Sequence, residues 1–303
     1  MSIPGQFGAV LTAMVTPFDD DGALDLDGAA TLARWMVDNG NDGLIIAGTT
    51  GESPVLSDNE KADLWRAVSE AVNVPVIAGS GTYDTAHSVK LSKVAEEAGA
   101  AGILAVTPYY SRPSQSGLEA HFRAVASATR LPVMLYDIPI RTGRKIAHDV
   151  IVRLARDVDN IAAVKDAAGD PAAAARLLAE APSHLELYSG DDALTLALLA
   201  VGASGTVSVA GHWTGTLQQQ MFAAFSKGDV DEARSINARL IPSWRFETGD
   251  DAPNPIPSKA MLRVLGLPVG QCRLPIGRAP EGLEDRAREV LAGLGADAPK
   301  PLA

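Results

Sequence analysis

Lys165 carries the sharpest chemical signature in this sequence. It closes the apolar run Ile161-Ala162-Ala163-Val164. An ammonium at the end of a buried strand is costly unless it is paired or used. Burial disfavours the charged form, so it turns such a lysine into a nucleophilic amine. Moving it from about 10.4 to about 7–8 takes roughly 4 kcal/mol. The alternative is an ion pair with Asp166 or another carboxylate.

Four further groups sit where apolar runs give way to loops. Thr49-Thr50-Gly51-Glu52-Ser53 can offer hydroxyls and backbone N–H groups to a carboxylate, or can be an ordinary turn. Tyr136, in Leu135-Tyr136-Asp137-Ile138-Pro139, is either a general acid–base or a core aromatic. Arg141, followed by Thr142 and Gly143, can grip a carboxylate with two parallel hydrogen bonds or join a surface ion pair. Tyr109-Tyr110 reads as packing or interface aromatics.

Other chemistries find little support. The five histidines, His87, His121, His148, His184 and His212, form no H-E-x-x-H pair, and with one cysteine there is no zinc cluster. No metal site is expected. No G-x-S-x-G elbow is present, and Gly79-Ser80-Gly81 lacks the third glycine of a dinucleotide turn. The net charge of −11 makes nucleic acid an unsuitable partner. The single cysteine, Cys272, excludes an intrachain disulfide and points to a reducing compartment, the cytoplasm. Met1–Gln6 has no basic start of the signal-peptide kind. The stretch Ala193–Leu217 has no charged side chain, but four glycines and His212 break it. It reads as helix, turn and strand rather than a membrane span.

The elements that must hold these residues alternate along the chain. Strand-like runs are Val10–Val15, Gly43–Ala47, Val74–Ala78, Gly102–Val106, Val133–Tyr136, Ile161–Lys165, Leu185–Ser189 and Gly205–Val209. Several are apolar on successive residues, the pattern of strands covered on both faces of a parallel sheet. Helical spacing fills the intervals: Leu26–Asn39, Ser57–Val72, Asp84–Ala98, Ser114–Thr129, His148–Arg156, Pro171–Glu180, Asp191–Ala200 and Thr214–Lys227. Ser57 and Glu60 spell a capping box. Eight strand–helix units predict a (β/α)8 TIM barrel over residues 1–227. An open doubly wound sheet is the runner-up. From 228 to 303 the strand signal stops, and Asp229–Ile241, Ser258–Leu265 and Pro280–Leu291 predict a small helical appendage. It is joined through Pro253-Asn254-Pro255-Ile256-Pro257.

In this order, the landmarks resemble the dihydrodipicolinate synthase and N-acetylneuraminate lyase family of lysine-dependent class I aldolases. They are Gly48–Ser53, Thr107–Gln115, Leu135–Pro139, Arg141–Gly143, Val164–Ala167, Ser189–Asp192 and Pro253–Lys259. The resemblance implies that Lys165 forms an imine with pyruvate, with no organic cofactor. It implies a proton relay through Tyr136, Thr49 and a Tyr110 that reaches into a neighbouring subunit. Thr49 and Thr50 would hold the pyruvate carboxylate, with the Val207 carbonyl near it. Arg141 would bind L-aspartate-4-semialdehyde, and the assembly would be a homotetramer built as a dimer of dimers. Arg141 favours the synthase branch of lysine and diaminopimelate biosynthesis over another pyruvate-dependent aldolase or lyase acting on a sugar-acid-like aldehyde. A barrel that binds ligand without turnover is the reading from a different class. Asp137, Asp166 and Ala168 depart from the family pattern. Its feedback site corresponds to Asp58, Lys61, Tyr83, His87 and Tyr109, where the Lys61 cation predicts weak or absent inhibition by L-lysine.

Overall fold

A computed structural model describes residues 5–302. Met1–Pro4 lie outside the described residues, and with them most of the stretch tested above for a signal peptide.

Eight parallel strands close into a barrel in chain order: β1 (Val10–Ala13), β2 (Gly43–Ile46), β3 (Val76–Gly79), β4 (Gly102–Val106), β5 (Val133–Asp137), β6 (Ile161–Asp166), β7 (Glu186–Ser189) and β8 (Gly205–Ser208). Strand β8 pairs back onto β1, so the open-sheet alternative is ruled out. The surrounding helices are α1 (Leu26–Asp38), α2 (Asp58–Ala71), α3 (Thr85–Glu97), α4 (Gln115–Ser127), the single turn α5 (Pro139–Thr142), α6 (His148–Asp157), α7 (Pro171–Glu180), α8 (Thr195–Ala200) and α9 (Gly211–Ser226). All but the short α5, which lies at the barrel mouth, cover the outer face of the sheet, which is why the strands are apolar on both sides.

Side chains alternate between the two faces. The barrel interior is filled by Leu11, Ala13, Ile45, Ile77, Leu104, Met134, Ala163 and Val207, among others. The outward-facing set joins the large core beneath the helices. This alternation aims the site. Tyr136 lies two residues after inward Met134, and Lys165 two after inward Ala163. Both therefore point into the barrel at the C-terminal ends of their strands.

Local chemistry sets the helix starts. The Ser57–Glu60 capping box is formed, with both reciprocal bonds present. Asp25, Asp84, Ser114 and Asp170 cap α1, α3, α4 and α7 through their side chains. Two expected helices differ from the sequence pattern. The segment Asp191–Ala200 opens as a 3-10 turn over Asp192–Leu194 and becomes α-helical only at Thr195. There the Asp192 side chain is drawn to the β8 end instead. Helix α9 starts at Gly211, three residues early, because the Ser208 hydroxyl accepts from the Gly211 N–H at 2.7 Å. The charge-free stretch is thus α8, β8 and part of α9, and among the described residues no helix is long and apolar enough to cross a membrane.

Three more helices follow: α10 (Val230–Phe246), α11 (Ile256–Val264) and α12 (Leu283–Leu294). Helix α10 runs beyond the expected Ile241, straight through Pro242. Tertiary contacts hold its last turn. Trp213 Nε1 donates to Ser243 Oγ at 2.9 Å, and the Trp213 and Phe246 rings meet edge to face at 6.1 Å.

Candidate active site

The site lies where βα-loops leave the strands, as in other barrels of this kind. Lys165 and Tyr136 are direct register partners across β6 and β5. Lys165 is 5% exposed, and its Nζ stands 4.2 Å from the centre of the Tyr136 ring. Burial, helped by the Arg141 cation and opposed by Asp192, holds the Lys165 amine down at about 7. Half the amines are then neutral near that pH. Ion pairing with Asp166 is not what happens. The Asp166 Oδ1 instead accepts from the Ala168 N–H at 2.8 Å, closing its own loop. Gly190, at the β7 end, leaves room for the lysine stem. A Cβ there would lie 3.0 Å from Lys165 Cγ and 2.9 Å from Ala167 Cβ.

Tyr136 is also buried, which pushes its phenol up to about 12, while the Thr49 hydroxyl and the Arg141 cation pull it down. It lines a cavity of about 220 Å³ together with Gly48, Thr49, Tyr109, Arg141 and Thr142. Arg141 is exposed on the short turn α5, which Pro139 opens and Gly143 closes at φ 71. The Arg112 Nε donates to the Gly143 carbonyl at 2.9 Å, tying the loops after β4 and β5 together.

The Gly48–Ser53 loop is held in a strained form. Ala47 and Glu52 both have φ of 57, a left-handed conformation that costs a non-glycine residue on the order of 1–3 kcal/mol. The restraint is visible. Glu52 Oε1 lies 2.8 Å from Lys259 Nζ, with both side chains almost fully buried, and Glu52 Oε2 accepts from the Arg273 N–H at 2.9 Å. Lys259 also donates to the Gln271 carbonyl and sits over the Phe18 ring. Thr50 is buried and accepts from Asn254 Nδ2 at 2.9 Å. The Pro-rich stretch read as a connector therefore also braces the site. The stretch is among the landmarks of the resemblance, but nothing in its residue types points Asn254 at Thr50.

Val207 lies on the inward face of β8, opposite Leu11 of β1. Tyr110 is not brought to this cavity. It is 94% exposed, with φ of 72. Behind the β8 end, His212 is buried and held neutral at about 4, chiefly by burial. Its Nε2 accepts from the Val15 N–H at 3.0 Å, so Nδ1 carries the proton and donates to the Val209 carbonyl at 2.7 Å. The residues matched to the feedback site lie on and around α2 and α3. Asp58 is engaged by His87 Nε2 and Lys90 Nζ, both at 2.8 Å. Lys61 is buried, and burial lowers its amine below the usual lysine range. The Tyr83 and Tyr109 rings meet edge to face at 5.5 Å.

A family model for the dihydrodipicolinate synthetase family matches residues 6–293. The chain belongs to the dihydrodipicolinate synthetase family. It is 53% identical to the 4-hydroxy-tetrahydrodipicolinate synthase of Acidothermus cellulolyticus, covering 96% of this chain and 94% of that one. The protein of the same name from Bacillus subtilis is 48% identical over 89% and 93% of the two chains. Among solved structures, DHDPS from Cyanidioschyzon merolae, with lysine bound, superposes with a TM-score of 0.93 at 41% identity. That match covers 96% of this chain and 99% of its own. Membership in the family agrees with the closed barrel and with the order of the landmarks. Among the described residues no cluster of three or more metal-ligating side chains is found.

Proposed function

We propose that this protein is a lyase that condenses pyruvate with L-aspartate-4-semialdehyde to give 4-hydroxy-tetrahydrodipicolinate. The observation that carries the reading is a buried Lys165 amine, about half of it neutral near pH 7, set over Tyr136, which lines a cavity with Thr49 and Arg141.

Lys165 Nζ attacks the pyruvate ketone and water leaves, forming the imine. The protonated imine withdraws electrons, so a methyl proton is lost and an enamine forms without a metal or organic cofactor. The enamine carbon attacks the aldehyde. The amine of the semialdehyde then displaces Lys165 and closes the ring. Tyr136 moves the protons through Thr49, and a Tyr110 from a neighbouring subunit completes the relay. The exposure of Tyr110 supports such an exchange across a dimer, within a tetramer built as a dimer of dimers. Thr49 and Thr50 hold the pyruvate carboxylate beside the Val207 carbonyl, and Arg141 holds the carboxylate of the aldehyde. The barrel of residues 1–227 acts as the catalytic unit, with 228–303 as its brace. The cytoplasm is the compartment that suits a single unpaired cysteine.

Borohydride reduction with pyruvate tests the reading. One reduced pyruvate adduct, mapped to Lys165, is expected. No adduct in the folded protein at mildly alkaline pH sinks it, and the non-catalytic barrel then takes its place.

L-Lysine inhibits weakly or not at all, because Lys61 adds a buried cation and the Asp58 oxygens are already engaged by His87 and Lys90. Half-maximal inhibition below about 1 mM, near ~4 kcal/mol of binding, contradicts this.

A further inference from the structure

Two carboxyl groups outside the chemistry above converge at the β8 end. Asp192 is buried. Its Oδ1 accepts from Ser208 Oγ, and its Oδ2 from the backbone N–H of Val209 at 2.7 Å and of Ala210 at 3.2 Å. Glu247 caps the end of α10 and is partly buried. Its Oε2 accepts from the same Ala210 N–H at 3.1 Å. Two carboxylate oxygens thus meet on one N–H. The two acceptors share that N–H, and two ionised carboxylates so placed repel each other.

We propose that Asp192 and Glu247 hold one proton between them, and that Glu247 is a positioning residue that keeps Asp192 as the single negative charge facing Lys165.

Burial, and the charge of Asp192 beside it, push the Glu247 carboxyl well above its ordinary range. The groups facing the pair are few. Asp191, on the same loop, adds negative potential and is itself shifted up by burial. His212, from α9, is neutral. Lys165, from β6, feels Asp192 directly. The sign of the effect follows. A second negative charge would raise the Lys165 pKa and hold the amine as an unreactive ammonium. With one charge, about half of the amine is neutral near pH 7, and the iminium that replaces it still meets an anion. The link to turnover rests on Lys165 forming the imine, while the shared proton does not.

Two measurements on the full chain separate these claims. The first is infrared spectroscopy of the protein without substrate at pH 7. A carbonyl band from a protonated carboxylic acid is expected, absent in Glu247→Gln. Absence of the band in the wild type, or its survival in that variant when folded, overturns the shared proton. The second is the pH midpoint of borohydride trapping with pyruvate, read beside a melting temperature. Glu247→Gln leaves Asp192 as the one negative charge and so keeps the midpoint. The double variant, Glu247→Gln with Asp192→Asn, loses the charge, and its midpoint falls by about one pH unit or more. A folded Glu247→Gln variant whose midpoint falls as far as that of the double variant overturns the positioning role. If the wild type traps no pyruvate, the imine reading fails while the infrared band still decides the proton.

Discussion

Tyr136 and Lys165 face each other across neighbouring parallel strands, and the lysine nitrogen stands 4.2 Å above the centre of the tyrosine ring. The pairing is a consequence of register. Both residues are inward-facing and at the same height in the barrel, above Met134 and Ala163.

Lys165→Ala removes the group proposed to form the imine. Turnover falls on the order of 10⁴-fold or more, the scale seen when a covalent nucleophile is lost. No borohydride adduct forms, while the melting temperature stays at or above that of the wild type.

Adduct formation rises with pH through about 7, the point at which the Lys165 amine loses its proton. Rates of trapping at saturating pyruvate from pH 5.5 to 9 read this directly. A flat profile, or a midpoint near the ordinary lysine value of 10.5, contradicts the role of burial.

The same burial has a cost in stability, with a definite sign. Between pH 7 and 10.5 the unfolded chain keeps the Lys165 proton and the folded chain does not, so stability rises with pH across that window. Lys165→Met abolishes the penalty. It stabilises the fold by up to about 4 kcal/mol at pH 7, and the gain fades toward pH 10.5. Urea unfolding at the two pH values checks both the size and the trend.

Tyr136→Phe keeps the ring under Lys165 and removes the hydroxyl. A loss of about 10²–10⁴-fold in kcat is expected for a general acid–base group. An unchanged kcat, measured by coupled assay, returns Tyr136 to the status of a core aromatic.

Asn254→Ala deletes the donor that orients the Thr50 hydroxyl at 2.9 Å. One neutral hydrogen bond is worth about 1 kcal/mol, so KM for pyruvate rises about 5-fold with a smaller change in kcat. A fall in kcat alone contradicts an orienting role.

Glu52→Gln leaves the Lys259 ammonium buried without its partner. Breaking a buried pair costs about 3–5 kcal/mol. The loss shows in the melting temperature, and it is smaller at alkaline pH, where Lys259, already lowered by burial, gives up its proton more easily.

Much of this was legible in the chain. Eight apolar runs separated by helical spacing give the barrel, because burial on two faces and on one face write different periods into a sequence. Ser57 and Glu60 mark a helix start that forms as written. Lys165 was visible because a cation ending an apolar strand demands a reason. The boundaries that moved did so through tertiary contacts. Ser208 drew the start of α9 forward, and Trp213 carried α10 past Pro242.

The sequence alone determined the barrel, its strand-end lysine and tyrosine, and the family they belong to, since these depend on residue type and short-range period. Only the tertiary structure decided that Asn254 braces Thr50 across 204 residues, that Lys259 pairs with Glu52 across 207, and that Glu247 meets Asp192 on one amide. Contacts at such separations leave no periodic trace. They arise because the closed barrel fixes where each loop must end, and the C-terminal helices pack against those ends.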